Sequence, residues 1–174
     1  MALFFGYGAN RNRSLLSRLF GHELEKELGA IIEGYQLAYQ NLEQIPDVPQ
    51  QIIRERYGNE YRTYTLQKGE GVVSGALFEL TDQDIEVLKE WEFVGVWREM
   101  ITVDVRLANG HVVQAVTEKA IEGSPIEKVI DGLLYDEFAH SEKEEVDKEQ
   151  LERMNQRQIK AINDWLQGEA YATS

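Results

Sequence analysis

The chain has 174 residues, no cysteine and a net charge of −13. That length suits one domain with a real core. The missing cysteines exclude disulfides, thiolate metal sites and cysteine nucleophiles, and a pI near 4.7 disfavours nucleic acid as a partner. No apolar run reaches transmembrane length, and Met1 to Phe5 is too short for a signal peptide. The expected protein is cytoplasmic, with no membrane partner.

Leu3 to Tyr7 reads as a first strand, broken by Gly6 and Gly8 and followed by Arg11, Arg13 and Arg18. Exposed N–H groups in a glycine turn beside positive charge suit an anion or carboxylate; an ordinary strand-to-loop turn explains the same residues. Residues 12 to 28 predict one or two helical turns interrupted at Gly21-His22. Ala30 to Leu42 predicts a strand, with Gly34 as a bulge or bend. Gln44 to Arg56, with Pro46 and Pro49, predicts a surface loop. Tyr61 to Leu66 and Gly71 to Leu80 predict two strands joined by a turn at Gly69 to Gly71. Gly75 weakens the second strand unless another group approaches its backbone.

Thr81 is placed as the N-cap of a helix to about Trp91, with Asp82 and Asp84 in its first turn. Ile85 and Leu88 form its inward face, and Glu92 extends that face where the helix ends. Arg98 to Leu107 and His111 to Lys119 predict a hairpin about Asn109-Gly110. Ser124-Pro125-Ile126-Glu127 predicts the start of a helix through Leu134, and Ser141 to Leu166 a longer acidic helix. The order of elements predicts a mixed α+β domain with a largely antiparallel sheet.

The usual chemical signatures are missing. Arg11 stands where a dinucleotide loop needs its third glycine, there is no Walker lysine, and His22, His111 and His140 are too scattered for a metal motif. What remains is Glu92, between Trp91 and Phe93. Burial there would raise its pKa above about 4.3 and suit it to move protons near neutral pH. The alternative is a helix-end glutamate turned to solvent or paired with Arg98.

Three blocks, in order, resemble the γ-glutamylcyclotransferase-like superfamily, which includes AIG2-like proteins. They are FFGYGANRN, GVVSGALFEL and LKEWEFVGVWREMITVDV; Gly34-Tyr35-Gln36-Leu37 fits a further strand. The resemblance covers about residues 3 to 120. It implies a small, mostly antiparallel barrel-like sheet with surrounding helices and no cofactor or metal. The expected domain is residues 1–174, with 1–120 the matched core and 121–174 a C-terminal helical extension. The implied activity is cyclisation of a γ-glutamyl amine or peptide to 5-oxoproline. Tyr7, Gly8, Ala9, Asn10, Trp97 and Arg98 are implied to bind substrate and Glu92 to catalyse. Ala9 stands where the family has serine, Lys89 where it has aspartate, Phe93 where glycine is frequent, and Trp97 where tyrosine is usual. A catalytically silent binding module on the same fold is the other expectation.

Overall fold

The computed structural model describes residues 1–130. The expected helix at 141–166, and the part of the 124–134 helix beyond residue 130, lie outside those residues.

The described chain forms strands β1 (Ala2–Gly6), β2 (Leu28–Asn41), β3 (Arg62–Leu80), β4 (Arg98–Leu107), β5 (Val112–Ala120) and β6 (Lys128–Ile130). Helices α1 (Arg13–Phe20), α2 (Asp47–Tyr57) and α3 (Asp82–Trp91) lie between them. The strand order β3-β1-β5-β4-β2 closes on itself, because β2 also pairs with β3. The result is a five-stranded barrel-like sheet in an α+β fold. Its pairs are antiparallel except β1 with β5, matched at Phe4 and Val116.

Alternation along β1 separates the two cores. Phe5 points into the barrel with Ile32, Val73, Leu77 and Val105. Phe4 points outward, under Leu15, Leu16 and Leu19 of α1 and Leu88 of α3. Both phenylalanines are fully buried, each contributing about 1.5–3 kcal/mol of transfer free energy. Gly75 answers the question raised by its place in a strand. A side chain there would begin 2.3 Å from the Gly6 carbonyl oxygen and 2.6 Å from the Phe5 ring. The absence of a Cβ lets β1 lie close on β3.

The N-cap at Thr81 forms as expected: its hydroxyl accepts from the Asp84 N–H, and the Asp84 carboxylate accepts from the Thr81 N–H. Gly34 takes a positive φ of 84° at the register shift between Glu33 and Tyr35. The hairpin turns at Asn109-Gly110, with Gly110 at φ 86°.

Three expectations are corrected. Residues 47–57 are helical, not a loop. Pro49 falls in the first turn of α2, where its missing N–H has no intrahelical partner to lose, and Ile53 packs on Leu42 and Ile45. Gly69 to Gly71 form no turn; they are the extra residues of a bulge facing Gly34, and β3 runs straight through. Residues 128–130 form a strand rather than a helix, because the outer half of β2 offers an edge at Leu37 to Tyr39. Among the described residues no helix is long and apolar enough to cross a membrane.

Candidate active site

The polar end of the barrel is built from three segments distant in sequence. The chain leaves β1 through Tyr7 and Gly8 into a short 3-10 turn, Ala9–Arg11, closed by the Arg11 N–H on the Gly8 carbonyl at 3.1 Å. Gly6 is required for that turn. A Cβ at Gly6 would sit 2.2 Å from the Asn10 carbonyl oxygen, whereas one at Gly8 would meet only the Tyr64 side chain at 3.8 Å. Asn10 is buried beneath the turn.

The second segment is the end of α3. Glu92 is its C-cap and Phe93 follows with φ 53°, in the left-handed region where glycine is usual. That conformation costs a phenylalanine about 1–2 kcal/mol. Burial of the ring beside Trp97, centroids 6.3 Å apart, offsets it. The Phe93 carbonyl then accepts from the N–H groups of Val96, Trp97 and Arg98. This tight wrap delivers Trp97 and Arg98 to the start of β4.

The third segment is the β4–β5 hairpin. Arg98 is paired with Ala120, so the residue diagonal to it on the same face is Glu118. The small Ala120 leaves room for the guanidinium to reach that carboxylate. Arg98 Nη1 donates to Glu118 Oε2, and Nη2 donates to Thr63 Oγ1 at 2.8 Å and the Tyr64 carbonyl at 2.7 Å. The ring of Trp97 lies under the guanidinium, 4.4 Å from its carbon, and the indole N–H donates to Gln40 Oε1 at 3.0 Å.

Glu92 meets both other segments. Its Oε1 accepts from Asn10 Nδ2 at 2.6 Å, and its Oε2 lies 3.4 Å from Arg98 Nε. The Tyr7 hydroxyl donates to the Glu118 carbonyl at 2.6 Å. Burial holds the Tyr7 phenol well above its usual pKa. Burial also pushes the Glu118 carboxyl up, to about 7; Arg98 opposes this and the charge of Glu92 adds to it.

Of the residues expected at the site, Tyr7, Asn10, Glu92, Trp97 and Arg98 are thus drawn into one contact network, with Gly8 and Ala9 in the backbone turn that carries Asn10. Trp97 and Arg98 are buried and face protein groups. Asn10 Oδ1 is buried without a hydrogen-bond partner among the described residues, as are Nε and Nη2 of Arg11. A cavity of about 440 Å³ lies nearby, walled by Asn41, Leu42, Glu43, Asn59, Glu60, Tyr61 and Arg62. None of the expected site residues lines it.

Glu118 belongs to the network and to no motif named above. Its only signal in the sequence is a lapse of alternation. Thr117, Glu118 and Lys119 follow one another inside a strand and are all buried, so polar partners must await them on both faces.

No family model and no curated protein matches the sequence. Solved structures do match the fold. A γ-glutamyl cyclotransferase aligns with a TM-score of 0.56 and 15% identity, over 74% of this chain and 69% of that one. An uncharacterized protein from Homo sapiens aligns at 0.54 and 15%, over 88% and 85%. YkqA from Bacillus subtilis aligns at 0.58 and 14%, over 91% of this chain and 54% of YkqA. The order of strands, the closed barrel and these alignments agree: the chain has the γ-glutamyl cyclotransferase-like fold.

Proposed function

We propose that this protein cyclises the γ-glutamyl group of a small γ-glutamyl amine or peptide to 5-oxoproline, with Glu92 as general base and then general acid. The observation that carries the reading is the 2.6 Å hydrogen bond from Asn10 to Glu92. It joins the glycine turn after β1 to the carboxylate at the end of α3, within a fold shared with a γ-glutamyl cyclotransferase.

The reaction follows from these groups. The turn at Tyr7, Gly8, Ala9 and Asn10 holds the γ-glutamyl moiety through main-chain donors, and the unpartnered Asn10 Oδ1 and Arg11 donors offer further contacts. Glu92 takes a proton from the substrate's α-ammonium. The freed amine attacks the γ-carbonyl carbon and a C–N bond closes the five-membered ring. The bond to the leaving amine breaks as Glu92 returns the proton to it, and the second proton shed by the attacking nitrogen also passes to the leaving amine, which departs as its ammonium. No water is consumed. Holding the amine against the carbonyl supplies the entropic part of the rate, and one carboxylate carries both proton transfers. Arg98 holds Glu92 in place, and Trp97 is the plane on which Arg98 rests. The working unit in this reading is the single domain 1–174, cytoplasmic, whose partner is the small substrate.

The test is mass-spectrometric detection of 5-oxoproline after incubation with a panel of γ-glutamyl amines and peptides. Wild-type protein is expected to form it, and Glu92→Gln to form about 100-fold less or below. Undiminished turnover in Glu92→Gln overturns the assignment.

A silent binding module is the second reading. It is favoured by one observation: Glu92 is already engaged by Asn10 and Arg98, as in a purely structural ion cluster. A thermal shift with one member of the panel, without 5-oxoproline from any, would select it.

A further inference from the structure

Two glutamates share one guanidinium in this site. The side chains of Glu118 and Glu92 are 7% and 14% exposed, and that of Arg98 is 2% exposed. Arg98 Nη1 serves Glu118. Its Nε, 3.4 Å from Glu92, makes no well-formed hydrogen bond. The groups that meet Glu118 come from every side. They are Arg98 on β4, the Tyr7 hydroxyl after β1, the Asn10 amide in the 3-10 turn, and Glu92 after α3. Tyr61, ahead of β3, adds a phenol within electrostatic reach of Arg98 and Glu92. Arg98 is the one cation in this set. Lys119, next along β5, pairs with Glu99 and Glu122 instead.

Two carboxylates and one cation, largely closed off from water, leave one negative charge in excess. An unpaired buried charge is strongly unfavourable. Two acids sharing a site resolve this by raising the proton affinity of one of them. The burial of Glu118, and after it the charge of Glu92, act in that direction and push its carboxyl up to about 7.

We propose that Glu92, Arg98 and Glu118 form one proton-sharing unit, in which Glu118 is a positioning residue that acts on Glu92 through the shared guanidinium. While the pair holds its proton, Arg98 neutralises the remaining charge. When the proton leaves, the two carboxylates compete for Arg98 and the hold on Glu92 weakens. Glu92 and Glu118 are coupled through the shared cation, so neutralising Glu92 lowers the proton affinity of Glu118 while its burial remains. Only the consequence for turnover rests on the function proposed above.

The experiment is a pH titration of the glutamate side-chain carboxyl carbons by NMR, on full-length protein labelled with 13C-glutamate. Wild type is expected to show one glutamate titration near pH 7. Glu118→Gln is expected to abolish it, and Glu92→Gln to move it downward, since Glu118 then has Arg98 to itself while its burial persists. A titration that persists unchanged in Glu92→Gln overturns the proposal, as does a wild type in which no glutamate titrates above about pH 6. Should Glu118→Gln fail to fold, Glu92→Gln in the otherwise native chain decides alone. In turnover, kcat/KM of wild type carries a limb near pH 7 that Glu118→Gln lacks. A protein that makes no 5-oxoproline yet keeps the titration removes the proposed reaction and leaves the proton-sharing unit standing.

Discussion

Two clusters at the base of the β4–β5 hairpin contain the same kinds of group and behave in opposite ways. Lys119 pairs with Glu99 and Glu122, and Arg98 pairs with Glu92 and Glu118. Each is one cation between two glutamates, anchored on adjacent residues of β5. The difference is where the acids end. Glu99 and Glu122 are 36% and 81% exposed, so water solvates the excess negative charge. Glu118 ends inside the protein and Glu92 is 14% exposed, so a proton or a bound cation must offset most of that charge. Alternation along β5 sends Glu118 and Lys119 to opposite faces. One residue of register therefore separates a cluster whose acids reach water from one whose acids end largely inside the protein.

The largest expected effect breaks the buried cluster outright. Arg98→Met leaves two buried carboxylates without a cation and should cost about 3–5 kcal/mol in urea unfolding. Lys119→Met leaves its acids in water and should cost within about 1 kcal/mol. Equal losses would contradict the contrast between the two clusters. In activity, Glu92→Gln should lower 5-oxoproline formation by about 100-fold or more, and Glu99→Gln should leave it unchanged with the fold intact.

A subtler contrast lies in pH. The folded-state pKa of Glu118, about 7, is above its ordinary value of 4.5, so the folded protein binds this proton more tightly than the unfolded chain. The stability it contributes is fully present below about pH 4.5 and is lost as pH rises through 7. Thermal melts of wild type and Glu118→Gln should diverge between pH 5 and 8, with wild type falling relative to the variant by up to roughly 3 kcal/mol at 1.4 per tenfold change in proton affinity. Parallel curves would contradict the shared proton. Glu122→Gln should show no such divergence.

The smallest effect concerns His22, whose Nε2 lies 2.7 Å from Asp84 of the α3 capping box. The hydrogen bond to Asp84 raises the His22 pKa above 6.5. Its contribution is present below that value and fades as pH climbs through the folded-state pKa. Any advantage of wild type over His22→Gln in melting temperature should therefore be seen at pH 6 and gone by pH 8.5. The half-exposed imidazole makes it small.

Much of this site was legible before any tertiary contact was known, because its parts announce themselves locally. Thr81 with Asp84 marks where α3 begins, and counting turns from there puts Glu92 at its end. The close pair Gly6 and Gly8 marks where β1 must stop. Glu118 was not legible. A glutamate in a strand reads as a solvent-facing residue unless its partner is known, and that partner sits across a hairpin on a diagonal. The helix at 47–57 was hidden by two prolines that turn out to occupy its N-cap and first turn. The strand at 128–130 exists only because β2 extends beyond the barrel and leaves an edge to pair with.

What the sequence determined by itself was the set of features whose hydrogen bonds close within a few residues: caps, the Asn-Gly hairpin, the break at Gly34, and the alternation that divides Phe4 from Phe5. The tertiary structure decided which charges share a cation and which of them keep contact with water. That depends on closing the barrel, which brings residues 10, 92, 98 and 118 into one small volume. Burial then sets the cost of an unbalanced charge, and burial is a property of the closed sheet that no local pattern records.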